Sequence, residues 1–274
     1  MIYNNKYKNI MIYRGDKMDI TATRAIRGPE WEMENEHFHI GKNELYYLCS
    51  GTTKMFVGSS LYTLHEGDCI YIPAGCLHRT SADSLSTVER MVVMFPEGKF
   101  EMDNEITTET IFRAENTEDI KKIFQRIIEE KRNQKEYSEE MINALVTMLM
   151  IELIRIPHKS AYSEEMQPET AQIQRTAQYI SMHPEEKITL QSAADFAGFA
   201  RTYFSQKFKS VTGFNFNDYL TAVRMKKGAA LLKKTNMSIT GIAFECGYND
   251  SNYFASVFKK HFGMTPNKYR KYEI

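Results

Sequence analysis

Two periods of apolar patterning divide this 274-residue chain, and the change falls near residue 117. Over 18–95, apolar residues come in short runs rich in β-branched and aromatic side chains: MDITATRAI, ELYYLCSG, TTKMFVG, SLYTL, CIYIP and TVERMVVMF. Gly51, Gly58 and the Glu66-Gly67-Asp68 group punctuate them. Many short strands at close spacing predict a small antiparallel barrel or jelly roll. Beyond 117 the period lengthens to that of a helix. Ile120, Ile123, Phe124, Ile127 and Ile128 form one stripe, and Ile142, Leu145, Leu149, Ile151 and Leu153 populate a second segment. The polar run EEKRNQKEYSEE connects them. The second segment, MINALVTMLMIELIRI, is apolar over most of its surface, which predicts burial on several sides, against the barrel. Residues 157–170 carry two prolines and little periodicity, and read as a linker.

From Thr170 helical spacing returns. Ile173, Ala177 and Ile180 form a stripe ending near His183-Pro184, and Thr189 is placed to cap the helix holding Ala193, Ala194 and Ala197. A helix over about 201–210 would bury Phe204 and Phe208 and expose Arg201, Thr202, Ser205, Gln206 and Lys209. A long amphipathic helix over 215–234 would bury Phe216, Tyr219, Leu220, Val223, Ala230 and Leu231. Then the short-helix pattern repeats. Ile239, Ile242, Ala243 and Cys246 recur at i, i+3, i+4 and i+7, and Gly247 suits a left-handed helix end. Asn249, Asp250 and Ser251 can cap a helix whose stripe is Phe254, Val257 and Phe258; Gly263 ends it, and Pro266 suits the first turn of one more helix. Ser251, Asn252, Ser256, Lys259 and Lys260 face outward.

Helix, tight glycine turn and second helix with a polar outer face is a helix-turn-helix pattern, and here it occurs twice. Arg and Gln side chains can make paired hydrogen bonds to guanine and adenine edges. Ser251, Asn252 and Ser256 suit phosphate as well as bases. Lys207, Lys226, Lys227, Lys233 and Lys234 suit solvated faces or phosphate contact. A rigid helix between the units would let both recognition helices enter successive major grooves, about one helical turn apart.

Charge supports this division. Overall it balances, with 35 Lys+Arg against 35 Asp+Glu, yet residues 171–274 hold 15 basic and 7 acidic side chains. A basic end is the electrostatic footprint of a nucleic-acid binder. Cys49, Cys69, Cys76 and Cys246 form no C-x-x-C pair and read as buried thiols. The N-terminal stretch lacks an apolar signal core and no run reaches membrane-span length, so a cytoplasmic protein with no membrane contact is expected.

The stretch from about 171 to 272 resembles the DNA-binding domain of AraC/XylS-type transcription regulators. The resemblance is carried by Ile242-Ala243, Cys246-Gly247-Tyr248, Tyr253-Phe254, Val257-Phe258-Lys259-Lys260, Gly263, Thr265-Pro266 and Tyr269-Arg270. It implies two helix-turn-helix units joined by a long helix, double-stranded DNA and the transcription machinery as partners, and a homodimer formed through the helical segments.

A second pattern lies among the strands. His37-Phe38-His39 is followed by Glu44 and Gly51; Gly67 is followed by Pro73-Ala74-Gly75 and His78. Residues two apart on a strand share a face, so His37 and His39 point together. Three imidazoles and a carboxylate can hold a first-row divalent metal. This pair of motifs resembles those of the cupin family, with departures: Trp31 stands where a glycine is usual, and Ala82 where an asparagine is usual. The same four residues can instead line an organic-effector pocket or satisfy one another. Trp31, Tyr46 and Tyr71 could stack on a sugar or aromatic ligand, or serve only as core or rim.

The expected protein is α+β. A cupin-like effector-sensing barrel spans 1–115, a helical dimerisation region 116–157, a linker 158–170 and an all-helical DNA-binding domain 171–274. Its expected function is sequence-specific regulation of transcription, as an activator responding to a small molecule such as a carbohydrate. Two alternatives remain. The His37/His39/Glu44/His78 cluster could itself sense metal, or the barrel could be a metalloenzyme.

Overall fold

The computed structural model describes residues 2–3, 10–13, 19–28, 36–81, 87–106, 108–113, 117–156 and 166–271, with backbone alone at 2–3, 10–13, 36–38, 81 and 104. Eleven strands come first in the described chain: β1 Ile2–Tyr3, β2 Ile10–Tyr13, β3 Thr21–Arg27, β4 Glu36–His39, β5 Lys42–Ser50, β6 Thr52–Val57, β7 Ser60–His65, β8 Cys69–Ile72, β9 His78–Ser81, β10 Val88–Pro96 and β11 Thr110–Phe112. They form two sheets, ordered β1-β2-β4-β9-β6-β7 and β11-β8-β5-β10-β3. Pairing is antiparallel except between β2 and β4.

The sheets face one another across Tyr46, Leu48, Ile70, Ile72 and Val92 from one side and Met55, Val57 and Leu64 from the other. The outward face of the five-stranded sheet is covered by α1, Glu118–Asn133, and α2, Ser138–Ile154. Leu45, Tyr47, Val93 and Phe95 pack there against Phe124, Ile127, Leu145 and Leu149. Strand β5 is therefore buried along nearly its whole length, the pattern of a strand covered on both faces. Tyr71 belongs to this outer layer, in ring contact with Phe95, so it faces the helices and not the barrel interior. It is removed from the expected pocket residues.

Seven further helices follow among the described residues: α3 Pro168–Met182, α4 Leu190–Ala197, α5 Arg201–Thr212, α6 Phe216–Lys234, α7 Ile239–Glu245, α8 Ser251–Phe262 and α9 Pro266–Arg270. Helix α3 begins at Pro168, two residues before Thr170, because proline suits the first helical turn. The Thr189 hydroxyl caps α4 in a reciprocal box with Ser192, and Asp250 caps α8. In α6 the buried side is Phe216, Tyr219, Leu220, Met225, Ala229 and Leu232, while Ala230 is exposed. The expected stripe slips at that end because the helix packs against both units. The end of α5 and Gly247 after α7 both turn on left-handed glycines, Gly213 at φ 83° and Gly247 at φ 75°.

The six-stranded sheet has an outward face too, and it meets these helices. Phe56 of β6 joins their core, with ring contacts to Phe214 and Tyr219. The result is four layers in order: helix pair, five-stranded sheet, six-stranded sheet, DNA-binding helices.

Candidate effector pocket and DNA interface

Strand β9 carries the centre of the polar interior. His78 lies opposite Val57 on β6, and Val57 faces the space between the sheets, so His78 does too. On β4, His37 lies opposite His78 in register; its side chain is outside the described residues, as is the whole of Trp31. His39 and Glu44 complete a buried cluster. His39 Nε2 is 2.8 Å from Glu44 Oε2 and donates to it, and His78 Nε2 is 3.5 Å from the same oxygen. The two imidazole rings are 5.4 Å apart.

Burial alone would raise the Glu44 pKa. The His78 charge, hydrogen bonds from His39 and His78, and the His39 charge outweigh it, and hold the carboxyl well below its usual range. The His78 Nδ1–H donates to the Cys76 carbonyl at 3.0 Å, which leaves Nε2 as the nitrogen turned to the cluster. One ligand atom from each of His39, Glu44 and His78 lies within 4.8 Å of the others. Two imidazoles and a carboxylate, with one imidazole fixed from behind by a carbonyl, fit a first-row divalent ion.

Tyr46 follows Glu44 by two positions and faces the same interior, wholly buried. Its ring face is covered by the Arg90 guanidinium, 5.4 Å from the centroid, so a ligand ring cannot stack on that face. Arg90 was not among the residues expected here. Its signal was a lone charge alternating with Val88, Val92 and Met94 on one face of β10.

The recognition helices expose what the sequence assigns to them. In α5, Arg201, Thr202, Gln206 and Lys209 are exposed and Ser205 is half-buried; in α8, Asn252, Ser256, Lys259 and Lys260 are exposed and Ser251 is half-buried. Phe204 and Phe208, like Phe254 and Phe258, are fully buried beneath them. Several lysines have structural partners. Lys207 pairs with Glu169 at 2.9 Å, Lys227 with Glu185 at 2.7 Å and Lys233 with Glu97 at 3.1 Å.

The barrel reaches this region by hydrogen bonds. Arg79, next to His78 but on the outer face of β9, donates to the Gly213 carbonyl at 2.8 Å, at the end of α5. The Tyr219 hydroxyl of α6 lies 3.1 Å from the Gly58 carbonyl of the β6–β7 turn. The Leu61 amide donates to the Gln174 side chain of α3 at 3.2 Å.

Comparison with known proteins agrees with both halves. Residues 27–94 match the family model described as a cupin domain, and residues 193–272 match the one described as a helix-turn-helix domain. The chain is 24% identical over 270 residues to the HTH-type transcriptional activator RhaR of Mannheimia succiniciproducens, covering 93% of this chain and 92% of that protein. The chain thus joins a cupin domain to an AraC-type helix-turn-helix domain, and it is similar to AraC-family activators. Another relative in this family is the transcriptional activator RhaS of Enterobacter sp., 24% identical over 146 residues; the chain spans about half of its length, 52%. Among solved structures, the C-terminal domain of AraT from Geobacillus stearothermophilus is 36% identical, covering 40% of this chain and 90% of that one at a TM-score of 0.38. ToxT from Vibrio cholerae is 13% identical over 92% of this chain and 97% of its own, at a TM-score of 0.37. The AraC-type domain makes double-stranded DNA the partner of the C-terminal helices, and the chain a regulator, not an enzyme. No helix among the described residues is long and apolar enough to cross a membrane.

Proposed function

We propose that the chain activates transcription in the cytoplasm as a homodimer, in response to a small polar molecule, a carbohydrate, bound between the two sheets. The domain limits we propose are those expected from the sequence: a sensing barrel over 1–115, a dimerising helical pair over 116–157, a linker over 158–170, and the DNA-binding domain over 171–274. Met141 and Met148, exposed on α2, give the helical pair apolar surface to bury against a second copy. Arg201, Thr202, Ser205 and Gln206 read bases in the first unit. Ser251, Asn252 and Ser256 contact bases and phosphates in the second, while Lys209, Lys259 and Lys260 hold phosphate.

The observation that carries this reading is strand β9. It presents His78 to the buried cluster and Arg79 to the end of a recognition helix. An effector on the inner face thus needs only to bias one docked arrangement of the two halves over another to alter DNA binding. If a divalent metal is held by His39, Glu44 and His78, it supplies a Lewis acid for effector hydroxyls. The chain's own residues orient the effector and exclude water. Sensing of metal alone is the second reading, favoured by the fit of that donor set.

The test is selection of DNA from a random pool by the full chain, followed by affinity measurements with and without a panel of sugars. The selected DNA should contain paired elements about one helical turn apart in each of two half-sites. One sugar should change the affinity, and His39→Ala should abolish that response. A single short element per monomer would refute the two-unit reading. A response to divalent metal with no sugar would replace the effector.

A further inference from the structure

Each recognition helix carries a tyrosine directly before its first buried phenylalanine: Tyr203 on α5 and Tyr253 on α8. Each leans on an aromatic ring from the turn that precedes its helix. Phe199 lies 5.2 Å from Tyr203, and Tyr248 lies 5.9 Å from Tyr253. Their hydroxyls differ. The Tyr203 hydroxyl donates to the Glu169 carboxylate, which also pairs with Lys207 at 2.9 Å. The Tyr253 hydroxyl makes no hydrogen bond among the described residues, and this tyrosine is 61% exposed against 40% for Tyr203.

We propose that Tyr253 donates its hydroxyl to a DNA phosphate and so anchors the second unit, a contact that Glu169 denies to Tyr203. This rests on the reading that α8 meets DNA. Position favours it. Residues at i, i+3 and i+7 share one side of a helix, so Tyr253 is aligned with Ser256 and Lys260, both exposed. Asn252 and Ser256 occupy the centre of the outer face, opposite Phe254 and Phe258. Tyr253 and Lys260 lie on its flank, where a helix seated in a groove passes the backbone. The ring is also braced from behind. Tyr248 lies under the Arg224 guanidinium at 5.4 Å, and Arg224 donates to the Pro184 and Glu186 carbonyls at 2.9 Å each. A phenol held in this way loses little freedom on binding, so its hydrogen bond is retained as affinity. An isolated exposed ring needs no explanation; one braced and set beside a lysine is a prepared donor.

The test is binding of the full chain to its selected DNA and to random DNA at several salt concentrations, with thermal melting to check folding. Tyr253→Phe removes only the hydroxyl and should weaken both bindings about tenfold, the loss expected of one hydrogen bond to a charged group. A neutral donor does not neutralise a phosphate, so the slope of log affinity against log salt should stay unchanged, whereas Lys260→Ala should lower it by about 0.9. Tyr203→Phe should change affinity little, because Glu169 already holds that hydroxyl. Methylphosphonate placed at single phosphates should find one position where the gap between Tyr253 and Tyr253→Phe closes. Full affinity in Tyr253→Phe, with Lys260→Ala weakened, would overturn the phosphate contact while leaving α8 on the DNA. Full affinity in Tyr253→Phe, with a loss in Tyr253→Ala that disappears when one thymine is replaced by uracil, would place the ring on a thymine methyl instead. No loss in any α8 variant would overturn the placement of α8 itself.

Discussion

The two recognition helices are built alike and connected differently. In α5 and α8 the same positions are buried, exposed and half-buried along the helix, apart from the first residue. Each buries a pair of phenylalanines four residues apart. Yet the surfaces differ: α5 offers Arg201 and Gln206, side chains that can grip one base edge with two bonds, where α8 offers Ser251 and Ser256. Their ends differ too. The Gly213 carbonyl after α5 accepts Arg79 from the barrel, while the end of α8 is closed within its own unit by Phe258 and Phe262 against Tyr269. A repeated scaffold can thus carry two tasks. On the proposed reading, one unit reads sequence and feels the barrel, and the other anchors.

The largest expected effect tests whether the scaffolds are equivalent. Phe204→Ala and Phe254→Ala each remove a fully buried ring, and each should cost about 3–5 kcal/mol of stability. Denaturant unfolding of both variants measures this. A cost near zero for one would mean that its unit is not packed as its twin is.

A smaller effect separates the surfaces. Arg201→Ala should lose about 1–3 kcal/mol of discrimination at one base position of the selected DNA. Asn252→Ala should lose less, spread over the sequence. Binding assays on single-base variants of the DNA decide it, and a sharp positional loss from Asn252→Ala would reverse the roles of the units.

How much of this was visible in the chain itself differs between the halves. The helical half was legible almost to the residue, because burial there is one-sided and periodicity marks the buried face. It slipped at Ala230, where α6 touches both units. In the barrel, short runs of β-branched and aromatic residues between turn residues located β5, β6 and β7. Such runs do not tell inside from outside on β8, since Cys69 through Ile72 are all buried. Tyr71 was misplaced for that reason; only its register opposite Leu45, which faces the helices, settles the matter. Of the metal-type residues, His39, Glu44 and His78 do converge, while the His37 side chain and Trp31 lie outside the described residues. The contact of Arg79 with Gly213 joins residues far apart in sequence and has no local signature at all.

That contact gives the next prediction. Arg79→Ala deletes the hydrogen bond to the Gly213 carbonyl, worth about 1 kcal/mol, and frees that carbonyl to bond water. Global stability should fall by at least that amount, but the effector-induced change in DNA affinity should shrink more, because β9 links the cluster to α5. The measurement is DNA affinity with and without effector, on DNA carrying both elements and on DNA carrying only the first. An unchanged effector response would show that the barrel acts through α3 or α6 instead.

The smallest effect concerns the anchoring role. Lys259 is exposed on the last turn of α8, and Lys209 holds the matching place on α5. If both meet phosphate, Lys259→Ala and Lys209→Ala should weaken specific and random DNA alike. Each should lower the slope of log affinity against log salt by about 0.9, one phosphate contact apiece. Titrations at several salt concentrations give these slopes directly. Equal losses would make the phosphate grip symmetric and confine the difference between the units to base reading and barrel contact. A loss confined to Lys259→Ala would assign the grip to the second unit, since a unit that must respond to the barrel gains from holding DNA less firmly.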